Sequence, residues 1–410
     1  MAAAAPQPGA AGVVPARTLY PALRAWLGFD VEAACWPAPI VEPRSPGRWS
    51  VTGAPGSDEV VDNHLATIVG RVTAAAPDAT AIILAGGFGR GEGTVTTTPS
   101  GPRPVNDYDI VVVGGRPEAL AGLDTALQAE LGIDFVDLWP RPDLTPSAPI
   151  SQFDIDLRYG AFRLWGDPLV LDRLPDYAPA DLSLDEGLFQ IGNRAGGLLL
   201  GLTGWEARPG GDDPAAFLER QRAKFLLALA DAWLMAHEDY HPSYAIRRAR
   251  FAALAAGTIA PTVCAQVDEA FAAKLEGRPA VGMTPDAIGA QCAAAWSALR
   301  AALGLDRDPS RLPAALARTV SERVRGGSDW LAVARAHALI PAAAGLTAPL
   351  TAAAAIYRAA IAGVASWPLA PAGRRAAVGA ALAPELLTTE ADVQALCRGV
   401  ARTWLGFFHP

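Results

Sequence analysis

Apolar and polar positions alternate along this chain with two different periods, and the change from one to the other marks its organisation. Residues 57–72 begin with Ser57, Asp58 and Glu59 and then place Val61, Leu65, Ile68, Val69 and Val72 at helical spacing, a polar start followed by one apolar face. Pro77 and Asp78 close that helix. Residues 81–85, AIILA, are uniformly apolar and stop at Gly86-Gly87, as a strand buried on both faces does before a turn that only glycine tolerates. A second apolar run at 110–113 predicts another such strand, opened by Asp107 and Asp109. Helical periodicity returns over 117–131 with Leu120, Leu123, Leu127 and Leu131, and residues 133–139, IDFVDLW, predict a third strand. From residue 184 onward the pattern is helical throughout. It gives an apolar helix over 188–202 with Asn193-Arg194 embedded, then an amphipathic helix over 214–238 whose Leu218, Phe225, Leu229 and Trp233 form the buried stripe. Alanine-rich helices separated by glycine and proline breaks fill the rest.

The stretch 81–115 carries the chemistry. Gly86, Gly87, Gly89 and Gly93 keep side chains away from the turn, so backbone N–H groups can approach an anion. A β-branched side chain at Gly87 would resist positive φ and fill the space of a phosphate. Asp107 and Asp109 bracket Tyr108 and point to the same face of an extended chain. Two hard oxygen ligands on a rigid strand suit Mg²⁺. An anion cradle and a metal pair on neighbouring strands are the two parts that phosphoryl-type transfer needs.

These residues resemble the polymerase-β-like nucleotidyltransferase superfamily, in the branch holding aminoglycoside and minimal nucleotidyltransferases. The matching pattern is an apolar strand, Gly86-Gly87, the basic Arg90, and then Asp107-x-Asp109 leading an apolar strand. The spacer between Gly87 and Asp107 is longer than the family shows, and its residues 94–105 read as a loop extension. The resemblance implies an α/β (α+β) domain with a small mixed sheet, followed by a mostly α-helical C-terminal region. It also implies a third carboxylate, for which Asp137 between Val136 and Leu138 is preferred; Asp154 and Asp156 in FDIDL, which also share a face, stay open as rivals. Residues 153–174 carry Tyr159, Gly160, Leu164, Gly166 and Asp167 in a family-like segment expected to shape one wall of the cleft. On the 214–238 helix, Arg220, Lys224 and Asp231 fall on one polar stripe, and the resemblance implies that Lys224 contacts the triphosphate or the acceptor. The implied organisation is an irregular extension over 1–56, including a short helix at 18–27 and a proline-rich connection at 37–55. A catalytic domain over 57–180, a helical domain closing the cleft over 181–250, and a bundle over 251–410 follow.

Composition narrows the partners. Hydrophobic residues make up 51% of the 410, much of it alanine, which favours helix. A net charge of −8 argues against a broad nucleic-acid surface. Of 34 basic residues only Lys224 and Lys274 are lysine, a bias expected of a GC-rich genome; Lys274 lies outside the motif region and is expected to take no part. Cys35, Cys264, Cys292 and Cys397 show no metal-ligand spacing and read as reduced thiols of a cytoplasmic protein. The start of the chain does not read as a secretory signal, and the apolar run over 339–357 is interrupted by Pro341 and Pro349, which predicts a buried bundle helix and no membrane span. In the HEDYH segment, His237 and His241 lack a third ligand nearby and mark a helix end stopped by Pro242. The implied activity is Mg²⁺-dependent transfer of a nucleoside monophosphate from an NTP to a hydroxyl of a small-molecule or protein acceptor. Two ions are expected, held by Asp107, Asp109 and Asp137, with Gly86, Gly87, Arg90 and Lys224 binding the nucleotide. The phrase ILAGGFGRG also resembles the loop of sugar-phosphate nucleotidyltransferases, and a nucleotide-binding regulatory protein without turnover is the alternative from another class.

Overall fold

The computed structural model describes residues 49–51, 53, 55–99, 101–105, 107–133, 135–147, 149–204, 213–277, 282–323, 349–382 and 393–408. The expectations for residues 1–48, with the helix at 18–27, Cys35 and most of the 37–55 connection, lie outside them.

The chain is mixed α/β, with a small mixed sheet followed by a mostly helical C-terminal region. Helix α1 (Ser57–Ala75) buries Val61, Leu65, Ile68 and Val72, the stripe its spacing predicts; its cap falls on Gly56, with φ 79°, and Ser57 is already inside the helix. Strand β1 (Ala81–Leu84) is buried at every position and runs into a helical turn, Gly86–Gly89. Strand β4 (Tyr108–Val113) lies antiparallel to β1, with Leu84 opposite Ile110. Helix α2 (Leu123–Leu131) crosses over to β5 (Val136–Arg141), which pairs parallel to β4. Strand β6 (Phe162–Gly166) pairs antiparallel with the other side of β1, so the sheet order is β5-β4-β1-β6. The two central strands are covered on both faces, which is why their sequences are continuous apolar runs and do not alternate. One face packs on α1 and α2 through Ile82, Leu84, Ile110 and Val112; the other packs on Leu157, Val170 and Leu171 through Ile83, Val111 and Val113.

Three local readings change. The extension at 94–105 is a hairpin of its own, β2 (Val95–Thr98) paired with β3 (Gly101–Pro104). The 117–131 helix is two pieces, a 3₁₀ turn at Pro117–Leu120 and then α2, broken at Gly122 with φ 74°. FDIDL is helical, inside α3 (Gln152–Gly160). A Ser151–Asp154 capping box starts α3, a side-chain signal that overrides the alternating pattern.

Beyond the sheet, α4 (Leu184–Leu202) and α5 (Pro214–Ala236) form the central helix pair. Around it pack α6 (Tyr244–Ala255), α7 (Pro261–Glu276), α8 (Pro285–Ala302), α9 (Arg311–Arg323), α10 (Pro349–Ala365), α11 (Pro371–Leu382) and α12 (Val393–Phe408). Leu218, Phe225, Leu229 and Trp233 of α5 are buried, as their spacing predicts. The same apolar core takes in Phe271, Trp296, Tyr357 and Val400, so helices before and after residue 250 share one interior. The described part of the 339–357 run, in α10, is buried from Ala354 to Tyr357. No helix among the described residues is long and apolar enough to cross a membrane.

Candidate functional site

Parallel pairing of β4 with β5 puts Asp109 directly beside Asp137. Asp107 enters the same strand two residues earlier and therefore presents its side chain to the same face. One carboxylate oxygen from each of the three lies within 4.8 Å of the others. From the opposite side, antiparallel β1 delivers the glycine turn to the same place: the Ala85 N–H donates to the Asp109 carbonyl at 2.8 Å. Gly86 has φ 61°, and a Cβ there would overlap the Asp109 carboxylate. The positive φ expected at Gly87 falls instead on Gly86, the left-handed residue of the turn. Gly87 has a gentler constraint, because a Cβ there would meet the Glu92 carbonyl at 3.4 Å and Lys274 Nζ at 3.7 Å.

Three carboxylates this close resist ionising together, so their proton affinities are pushed apart. Asp109 is pushed up to about 7, first by burial and then by Asp107 and Asp137. Asp137 is pushed up to about 6 by burial and by Asp107. Burial pushes Asp107 the same way, but Lys224, Lys274, a backbone N–H and Arg194 outweigh it and hold that carboxyl below its usual range. A divalent ion fits this donor set: hard oxygens, excess negative charge, and a rigid strand pair behind them.

Lys224, on the solvent-open side of α5, acts on Asp107. Desolvation by the surrounding protein lowers its pKa, Asp107 opposes that, and Arg194, Lys274 and Arg220 add to it. Lys274 is the larger surprise. It sits on α7, in the part of the chain expected to carry no chemistry, yet it bears on both Asp107 and Asp109 and reaches Gly87. The inserted hairpin anchors it there, since Thr94 Oγ1 donates to the Lys274 carbonyl at 2.7 Å. Arg194, embedded in apolar α4, is the third cation acting on Asp107. Lys274 is a correction to the expectation that it takes no part; the one trace of it in the sequence is that lysine is scarce in an arginine-rich chain, which draws attention to Lys224 but does not place Lys274 at the site.

Other expected residues have different positions. Arg90 is buried, with Nη1 3.3 Å from Asp156 and Nε 3.4 Å from Glu92, so its guanidinium is committed behind the turn and does not stand open to a nucleotide. Asp154 caps α3, accepting from the Ser151 N–H at 2.9 Å, and Asp156 accepts from the Tyr240 hydroxyl at 2.8 Å; neither joins the Asp107 cluster. Asp231 leaves the polar stripe of α5 and is buried against Arg247 Nη1 at 2.6 Å. His241 accepts from the Ser243 N–H at 3.0 Å and is held by burial at about 3, a neutral structural imidazole. Asp167 closes the sheet, its N–H donating to the Thr80 carbonyl at 3.0 Å.

The arrangement can bind a divalent cation on one wall and a multiply charged anion between that cation and the lysines. Comparisons of the chain with protein-family models, curated proteins and solved structures found no match, so the chemistry rests on this geometry.

Proposed function

We propose that the protein is a Mg²⁺-dependent nucleotidyltransferase, moving a nucleoside monophosphate from an NTP to a hydroxyl of a small-molecule or protein acceptor and releasing pyrophosphate. The observation that carries the reading is the triad Asp107–Asp109–Asp137 at the mouths of two parallel strands, faced by both lysines of the chain. The resemblance of Gly86-Gly87, Asp107-x-Asp109 and Asp137 to the polymerase-β-like superfamily supports it, as does the closeness of the glycine turn to the three carboxylates.

Mg²⁺ bound by the three aspartates would supply Lewis-acid stabilisation of charge on the phosphates. The residues of the chain do the rest. Lys224 and Lys274 bind the phosphate anion and offset charge that grows on the leaving pyrophosphate. Gly86 and Gly87 leave room for the phosphates to approach the backbone. The acceptor oxygen bonds to the α-phosphorus, the bond to pyrophosphate breaks, and Asp137, beside Asp109 across the parallel strand pair, takes the hydroxyl proton. Arg90 supports the turn from behind.

Incubation with each labelled NTP, Mg²⁺ and a metabolite extract, followed by mass spectrometry of labelled products, tests the reading. Asp107→Asn or Asp109→Asn should leave the circular dichroism spectrum unchanged and lower transfer by several orders of magnitude. Turnover near that of the wild type in either variant would remove the mechanism.

A further inference from the structure

We propose that Tyr244, held in place by Glu92, is a positioning residue that fixes Lys274 against the glycine turn, so that the anion site is assembled before any ligand arrives. The inference rests on the reading of Lys274 as a phosphate ligand and adds what puts it there.

Glu92 follows the glycine turn and is buried. Its carboxylate accepts from Ser243 Oγ at 2.6 Å, from the Tyr244 N–H at 2.9 Å and from the Ala245 N–H at 3.2 Å, capping the first turn of α6. A carboxylate at a helix N-terminus satisfies donors the helix leaves open and meets the positive end of its dipole. The turn and α6 are thus joined through one side chain. Tyr244, the first residue of α6, is surrounded by cations: Arg247 at 4.0 Å, Arg90 at 5.0 Å and Lys274 at 5.6 Å from the ring centroid.

Two of these cations are tied elsewhere. Arg247 is paired with Asp231 and also donates to the Pro242 carbonyl, and Arg90 is paired with Asp156 and Glu92. Lys274 forms no ion pair with a carboxylate among the described residues and reaches Gly87 from the Tyr244 ring. Phe271, one helical turn before Lys274 on α7, packs edge-on against the same ring at 6.3 Å, which orients α7. A lysine stem is flexible and costs entropy to order, so a π face that holds its ammonium reduces what a phosphate ligand must order on binding.

The test replaces Tyr244 by phenylalanine and by phenylalanines carrying one, two and three ring fluorines. These keep the shape of the ring and progressively weaken its negative face. Calorimetry with inorganic tripolyphosphate and Mg²⁺ is the readout. Tyr244→Phe should bind as the wild type does, and affinity should fall stepwise with fluorine number, roughly three- to tenfold over the series. In a Lys274→Ala background the fluorine dependence should vanish. A flat series in a protein that loses affinity on Lys274→Ala overturns the positioning role while keeping the phosphate reading, and so does a dependence that persists without Lys274, because Arg90 or Arg247 would then be its source. Equal tripolyphosphate affinity in wild type and Lys274→Ala overturns the phosphate reading itself. The ¹³C-methylated Lys274 resonance then reports the geometry separately, since a ring-current shift that survives Tyr244→Leu removes the contact.

Discussion

Lys224 on α5 and Lys274 on α7 act on one carboxylate, that of Asp107, from two different helices. The chain has 34 basic residues, and these two are its only lysines. An ammonium is a compact point charge with three rotatable donors, and it serves several phosphate oxygens in turn where a guanidinium imposes one planar geometry. Lys224→Ala and Lys274→Ala should each weaken MgATP binding by about tenfold, the loss of one charge-assisted hydrogen bond. Arg300→Ala, on α8, removes an exposed pair with Asp306 in the turn that follows and should leave affinity unchanged. Calorimetry on the three variants checks this, and unchanged affinity in both lysine variants would show a solvated face with no ligand.

Gly86 and Gly87 should respond differently to a single methyl group. Gly86→Ala forces an L side chain into φ 61° and into the Asp109 carboxylate. The backbone alone costs about 1–2 kcal/mol, and the displaced carboxylate should cost metal affinity as well. Gly87→Ala meets only ordinary contacts at 3.4 and 3.7 Å. Its fold should persist, with weaker nucleotide binding because the methyl group lies next to Lys274. Thermal melts combined with Mg²⁺ and ATP titrations separate the two; equal losses of stability would contradict the assignment of the strained position to Gly86.

How much of this was legible in the sequence follows from what each residue depends on. The central strands, the Asp107–Asp109 spacing and the buried stripe of α5 are local: periodicity within a few residues determines them, and the structure has them where the pattern places them. Asp137 joins Asp109 through a register that strand–helix–strand order makes natural. Arg90 shows where local reading stops. A basic residue after a glycine turn looks free until Asp156 and Glu92 arrive to neutralise it, and the shared face that an extended FDIDL would give Asp154 and Asp156 is lost because the Ser151–Asp154 capping box makes that segment helical. Lys274 is a matter of tertiary packing alone. Its contact with the turn exists because the inserted hairpin binds the end of α7, a relation between Thr94 and Lys274 that no window of sequence contains.

Arg90 should behave as a structural residue. Arg90→Leu leaves Asp156 and Glu92 without their shared partner in a buried setting. Breaking a buried pair on one side costs about 3–5 kcal/mol, so urea unfolding should shift by that order. Within the folded protein at low temperature, MgATP affinity should fall less than it does in Lys274→Ala. The reverse order, a small stability change with a large loss of affinity, would restore Arg90 as a nucleotide ligand.

The carboxylate cluster ties stability to pH and to metal. Asp109 is pushed up to about 7 and Asp137 to about 6, against 3.8 for an ordinary aspartate. Between those values the folded, metal-free chain keeps protons that the unfolded chain has released, so this contribution to stability is present below about pH 4 and is lost as pH rises through about 7. Asp107 has the opposite sign: it is held low by Lys224 and Lys274, and its contribution is lost only as pH falls below the ordinary aspartate range, outside that window. His241, held at about 3, also opposes the trend, because the unfolded imidazole takes up a proton below its ordinary 6.5 and the folded one does not. The diagnostic quantity is therefore a difference in which His241 cancels. In EDTA, Asp109→Asn should melt higher than wild type near neutral pH, and the gap should shrink as pH falls toward about 4. Excess Mg²⁺ binds the deprotonated cluster and should raise the wild-type melting temperature near neutral pH while leaving Asp109→Asn almost unmoved. Melting curves for the two proteins that run parallel across this range, with or without Mg²⁺, would mean that the three carboxylates do not act as one metal-binding unit.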